Sequence, residues 1–189
     1  MKAVMLAVQP KWVEKIANGK KTIEVRKTAP KCGVPFKGYI YVTKGKPYLY
    51  RVDDDDNFEL TNTLRPKVYE YVKDYNEQNG NVIGEFVCDS AEWMSMRDCD
   101  KACMTLKEAV DYSKGKKLYA WHISDLKIYD KPKELSEFYT IDESGSDCCI
   151  ACVYHETPLE EMPCRTCTGE RRYLYRPPQS WQYVEELQE

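Results

Sequence analysis

Asn18-Gly19 splits the first 26 residues into two segments with different hydrophobic periods. Before it, the run Pro10 to Ile16 places Trp12, Val13 and Ile16 on one helical face. Pro10 fits the first turn of that helix, where its missing N–H is not needed. Gly19 suits the left-handed conformation in which helices commonly end. After it, Ile23 and Val25 alternate with Thr22, Glu24 and Arg26, the period-two pattern of a strand with one face buried. That strand carries a hydroxyl, a carboxylate and a guanidinium in a row, and Lys20 and Lys21 lead into it. Glu24 and Arg26 share a face, where an ion pair that merely orders the strand accounts for them equally well. Lys21 and Glu24 point to opposite faces of a regular strand, so they converge only if a bend or bulge sits near Thr22.

The rest of the chain reads as short strands and a few helices. Residues 1–9 read as a first strand, with an apolar segment too short for a signal peptide. Residues 27–38, rich in Pro and Gly, form a loop suited to the rim of a cleft. Tyr39 to Lys44 alternates strongly and predicts a strand, and Tyr48 to Val52 a hairpin partner for it. The run Asp53 to Asp56 lacks the spaced ligands and Gly of a calcium loop and reads as a solvated tip. A helix is expected from Arg65 to about Gln78, with Val68, Val72 and Tyr75 on one face, and Asn79-Gly80 ends it. Strands are expected at 82–88, 118–123 and briefly around Leu126–Tyr129, with a polar, helical or turn-rich exit at 130–138. Thr105-x-x-Glu108 is a capping box opening a short helix to about Ser113. Trp181, Tyr183 and Glu185 alternate in a last strand that returns to the first part of the chain. Tyr119 and Trp121 belong to a core wall or, alternatively, line a base-stacking pocket. His122 reads as structural, because no carboxylate or Cys partner is adjacent in sequence.

Charge is unevenly spread along the 189 residues, whose net value is −3. Residues 1–51 hold ten Lys and two Arg against Glu14 and Glu24 alone, a formal +10, and the remainder is acidic. A basic half suggests a polyanion-binding face, although lysine-rich segments also simply decorate a solvated surface. No apolar run reaches membrane-spanning length, so the expectation is a cytoplasmic protein with no membrane partner.

Residues 141–170 form a separate cysteine-rich module. Cys149-Ile150-Ala151-Cys152 and Cys164-Arg165-Thr166-Cys167 are two Cys-x-x-Cys knuckles with eleven residues between them. Two such turns supply four thiolates to one tetrahedral Zn²⁺, closing a structural site with no open coordination position. Cys148 and His155 are surplus candidates. Cys99 and Cys103, four residues apart, face each other if both lie on a helix, but as a pair they read as buried thiols.

The pattern Gly19-x-Lys21-x-x-Glu24-x-Arg26, with Ile16 before it and the Tyr39–Lys44 strand after it, resembles the ASCH family of the PUA-like superfamily. The resemblance covers about residues 1–140 plus the closing strand within 171–189 and leaves 141–170 as an insertion. It implies an α+β fold: a small, mainly-β PUA-like barrel with short peripheral helices, here with an inserted four-cysteine zinc-binding module. It also implies recognition of RNA, single-stranded nucleic acid or a modified nucleoside in a basic cleft lined by Lys20, Lys21, Glu24, Arg26 and Lys44. Lysine and arginine would hold phosphate, and Glu24 would accept hydrogen bonds from an exocyclic amine or ribose hydroxyl. The alternative is a small hydrolase acting on RNA or on N4-acylated cytidine nucleosides, with Lys21, Thr22 and Glu24 as candidates. Against it, Glu24 stands where similar amidohydrolases place a Thr nucleophile, and Thr22 lies two positions off. A carboxylate beside Lys21 is expected to raise the lysine pKa, which favours anion binding over base catalysis.

Overall fold

β1 (Lys2–Val8) is buried on both faces, and the main sheet is built around it. Val4, Leu6 and Val8 enter one core while Ala3, Met5 and Ala7 enter another, as a period-two strand requires. The computed structural model describes residues 2–44, 49–52, 58–61, 69–71, 78–140, 174 and 176–187. For the strands within 49–71 only the backbone is described.

On one side β1 pairs in parallel with β3 (Phe36–Val42); on the other it pairs antiparallel with β11 (Trp181–Glu185). β3 continues antiparallel to β7 (Val82–Cys88), and β7 to β10 (Ser124–Lys133), giving the order β10-β7-β3-β1-β11. Gly38 of β3 lies directly against the Phe86 ring, where a Cβ would collide. After β10 the 3-10 turn Leu135–Glu137 carries the chain across to the far edge, where Thr140 bridges to Val184.

Between β1 and β3 the chain forms α1 (Pro10–Ala17) and then leaves the main sheet. β2 (Ile23–Arg26) joins β9 (Tyr119–His122) and β8 (Ala91–Trp93) in a second sheet, in the order β2-β9-β8. The first core lies between the two sheets and takes in Val13 and Ile16 of α1, Phe86 and Trp121. A third cluster joins Ile23 and Val25 to Cys99, Ala102, Ala109 and Leu118, packing α2 (Asp98–Lys101) and α3 (Leu106–Ser113) over β2. α3 opens with the expected capping box: the Thr105 hydroxyl accepts from the Glu108 amide, and the Glu108 carboxylate accepts from the Thr105 amide.

The architecture is mixed α and β, with mostly strands and short helices, but among the described residues no closed barrel forms. β2 pairs with β9 and not with the edge of the main sheet, so the ring of strands stays interrupted. The expected hairpin between β3 and the next strand is also replaced. β4 (Leu49–Val52) pairs with β5 (Phe58–Thr61) and β6 (Tyr69–Tyr71) in a third sheet. β6 lies inside the segment expected to be helical; the alternation Tyr-Glu-Tyr suits a strand once β4 offers a pairing edge. Arg65, Val68, Val72 and Tyr75 lie outside the described residues, as do the Asp53–Asp56 tip and residues 141–173 with every cysteine of the zinc module. The strand expected around Leu126–Tyr129 extends through Lys133 and absorbs part of the polar exit. β1, β7, β9, β11 and α1 fall where the residue pattern places them.

Candidate functional site

β2 lies between elements on both sides, so all four of its residues are buried, charged ones included. Ile23 and Val25 turn toward α2 and α3, which leaves Glu24 and Arg26 on the opposite side of the strand. The chain reaches β2 through a pinned turn. Gly19 takes φ +74°, the Lys21 amide donates to the Lys15 carbonyl at 2.8 Å, and the Thr22 amide donates to Lys101 at 2.9 Å. The Thr22 carbonyl in turn accepts from the Ile123 amide at 2.9 Å. These bonds hold residues 20–22 out of the strand and let the Lys21 side chain turn inward.

Three charges meet there. The Lys21 ammonium donates to the Ala102 carbonyl at 2.8 Å and stands 3.4 Å from Glu24 Oε2. Glu24 Oε1 is 3.1 Å from Arg26 Nη1, and Arg26 Nη2 donates to the Ala7 carbonyl of β1 at 2.8 Å. Lys21, Glu24 and Arg26 are 3%, 5% and 9% exposed, so the triad is desolvated and not a solvated strand face. Burial lowers the Lys21 pKa; the Glu24 carboxylate opposes this without overcoming it. The expected upward shift is thereby reversed, because the loss of hydration outweighs the single carboxylate beside the ammonium.

The triad faces a cavity of about 530 Å³. Its floor is the end of β1 with Glu24, Val25 and Arg26. α1 contributes Lys11 and Trp12, the α3 region Met104, Glu108, Asp111 and Tyr112, and the approach to β11 Gln179 and Ser180. Two buried atoms of the triad lack a hydrogen bond, Arg26 Nε and Glu24 Oε2, the latter held only by the Lys21 ammonium at ion-pair distance. One is an acceptor and the other a donor, and both belong to residues that line the cavity.

No protein-family model matches the chain, and no curated protein sequence matches it. Solved structures do. The crystal structure of the ASCH protein from Zymomonas mobilis matches with a TM-score of 0.53 at 16% identity, covering 97% of this chain and 88% of that one. The crystal structure of a tyrosine-to-phenylalanine mutant of that protein matches with a TM-score of 0.53 at 16% identity, covering 98% and 92%. A serine-to-alanine mutant gives 0.52 at 15%, covering 97% and 89%. The fold is ASCH-like. In this ASCH-like chain three of the four residues of the signature pattern, Lys21, Glu24 and Arg26, build the buried triad.

The other sequence-predicted site residues are placed differently. Lys20 is exposed, its amide bonded to Asn18 Oδ1, and Lys44 is exposed with its stem against Gly80; neither lines the cavity. Thr22 is pinned through its backbone and does not line the cavity either. Without Lys20 and Lys44 the lining is not the basic cleft of the sequence reading: Lys11, Lys21 and Arg26 are matched by Glu24, Glu108 and Asp111. Trp121 is fully buried against Phe36 and Trp181, which removes it as a stacking platform.

His122 has a carboxylate partner after all, brought from 33 residues away: its Nδ1 lies 2.6 Å from Asp89 Oδ1. That hydrogen bond holds the Asp89 carboxyl below its ordinary pKa. Cys99 and Cys103 do not share a helix, because α2 ends at Lys101 and Cys103 adopts φ +53°. Among the described residues no group of three or more His, Cys, Asp or Glu could hold a metal.

Sequence pattern alone misses Trp12 and Tyr112 as cavity residues. Periodicity puts Trp12 wholly on the apolar face of α1, yet it is only half-buried there. Asp111 and Tyr112 fall three and four residues after Glu108, one face of a helix whose start the capping box announces, so that signal was present.

Proposed function

We propose that the cavity binds a single nucleobase with its sugar, in the manner of a reader of free or extruded nucleosides. The observation that carries this reading is a cavity of about 530 Å³ lined by Glu24 and Arg26, whose buried Oε2 and Nε atoms lack hydrogen-bond partners even though Oε2 has the Lys21 ammonium 3.4 Å away. Buried polar atoms without partners are costly, and a ligand that supplies them gains what the empty site lacks. The Watson–Crick edge of every nucleobase offers a donor next to an acceptor, which matches a carboxylate oxygen and a guanidinium N–H. The volume lies within the range of small-molecule sites and suits one nucleoside better than a length of strand. The ASCH-like fold supports the same class of ligand.

A second reading, hydrolysis of an N4-acylated cytidine, is favoured by the lowered pKa of Lys21. A lowered pKa brings the neutral amine, the form that accepts a proton, closer to neutral pH. With Thr22 outside the cavity, the nucleophile in this reading is a water molecule and not that hydroxyl.

The test is calorimetric titration of the purified protein with cytidine, uridine, guanosine and N4-acetylcytidine, followed by chromatography of each mixture for products. Binding by one of them, lost in Glu24→Gln, supports the reading, and product formation lost in Lys21→Met moves it to the hydrolase. Absence of binding by all four in the folded wild type overturns it.

A further inference from the structure

We infer that Trp12 and Tyr112 grip the base between them while Glu24 and Arg26 read its edge; this rests on the nucleoside reading of the same cavity. Three observations on the two rings and one on Glu24 and Arg26 carry it. Both rings line the cavity, from different elements, α1 and α3. Neither is sealed into a core: Trp12 packs only partly against the first core, and Tyr112 is 36% exposed. Each has the ammonium of an exposed lysine over its ring, and Trp12 also has those of Lys15 and the buried Lys21, each 5.1 Å from its centre. Lys11 Nζ is 4.6 Å from the Trp12 ring centre and Lys27 Nζ 4.8 Å from that of Tyr112. Finally, Glu24 and Arg26, which hold the two buried polar atoms without hydrogen-bond partners, line the same cavity.

A lysine over a ring marks an electron-rich face with room above it, held by an interaction that is weak at an exposed site. A base is a better cover for such a face than a hydrated ammonium, because it buries flat apolar area on both sides at once. Binding therefore displaces Lys11 and Lys27 from the rings. The ligand class this defines is a planar heterocycle with an adjacent donor and acceptor on one edge. A free nucleoside and a base extruded from single-stranded RNA both present that chemistry.

Binding is measured by calorimetry with two probes, N4-acetylcytidine and a cytidine-containing RNA hexamer, on wild type, Tyr112→Ala, Tyr112→Phe, Trp12→Phe and Lys27→Ala. Tyr112→Ala is expected to weaken both probes about tenfold, the loss typical of one base–aromatic stack. Tyr112→Phe and Trp12→Phe, which keep a ring, should stay within a few-fold of wild type. Lys27→Ala should bind as well as wild type or better, since the ammonium competes for the Tyr112 face. Tighter binding of the hexamer identifies an extruded base as the source, and equal or weaker binding a free nucleoside; the loss in Tyr112→Ala supports the grip with either source. Wild-type affinity in Tyr112→Ala, with affinity lost in Glu24→Gln, overturns the grip and leaves the nucleoside reading standing. Binding of neither probe by wild type overturns both.

Discussion

Lys21 and Glu24 meet at 3.4 Å although they are three residues apart next to a strand, where such residues should face opposite ways. The contact exists because β2 begins only at Ile23, and the turn before it is fixed by α1, α2 and Ile123 rather than by the sheet. The required bend sits at Thr22, as the alternation demanded. It delivers a lysine into a place where only 3% of it stays exposed, and that burial fixes the direction of its pKa.

The pH dependence of stability follows from that direction. Folded Lys21 holds its proton less tightly than an ordinary lysine near 10.5, so in the window just below that value the unfolded chain binds more protons. This residue's contribution to stability therefore rises with pH through the window. Tyr39 and Tyr41 work the other way, since burial raises their pKa values and stability falls as pH passes 10.0. Lys21→Met removes the first effect and keeps the second. Thermal melts from neutral pH to about pH 10 should show wild type gaining on Lys21→Met as pH rises. A constant difference between the two would refute the lowered pKa.

Removing the shared carboxylate should be costly. Glu24→Leu leaves the Lys21 ammonium and Arg26 guanidinium buried without a counterion, a change that costs about 3–5 kcal/mol. Glu92→Leu, at an exposed carboxylate of β8, should change stability by no more than about 0.5 kcal/mol. Urea unfolding of both variants measures the contrast, and similar midpoints would mean that the triad is not desolvated.

The capping box of α3 links stability to the cavity wall. Thr105→Ala removes the hydroxyl that accepts from the Glu108 amide and should cost about 1 kcal/mol. Because Glu108, Asp111 and Tyr112 line the cavity, nucleoside affinity should fall in the same variant. Calorimetry beside thermal denaturation checks both; a destabilised variant with unchanged affinity would separate the helix from the site.

The cysteine knuckles outside the described residues lead to a prediction from spacing alone. Cys149, Cys152, Cys164 and Cys167 should bind one Zn²⁺ per chain. Metal analysis of tag-free protein should give about one zinc per chain, and Cys149→Ser with Cys164→Ser should give none.

Much of this fold was legible because short-range patterns decide it. Pro10, Asn18-Gly19 and the alternation after Thr22 specify helix, stop and strand with no knowledge of the neighbours. The capping box did the same for α3. What was not legible depended on partners distant in sequence. Tyr69–Tyr71 became a strand because β4 offered an edge, and His122 gained Asp89 across 33 residues. Burial was the costliest omission. Alternation around β2 predicts one wet face, and only the packing of α1 and β1 over that face makes the triad dry. The same omission reversed the expected pKa of Lys21 and moved the aromatic residues of interest from Trp121 to Trp12.

Ala7 receives both of its long-range bonds from parts of the cavity: its amide donates to Ser180 and its carbonyl accepts from Arg26. Gln179 and Ser180 are also lining residues, and the strand after them completes the edge of β1. During synthesis, then, the signature turn leaves the ribosome first, but the cavity cannot close until residues about 150 positions later have emerged and docked on β1. A nascent or prematurely terminated chain carries the whole charged triad and still lacks the cavity wall of Gln179 and Ser180 and the strand that holds it.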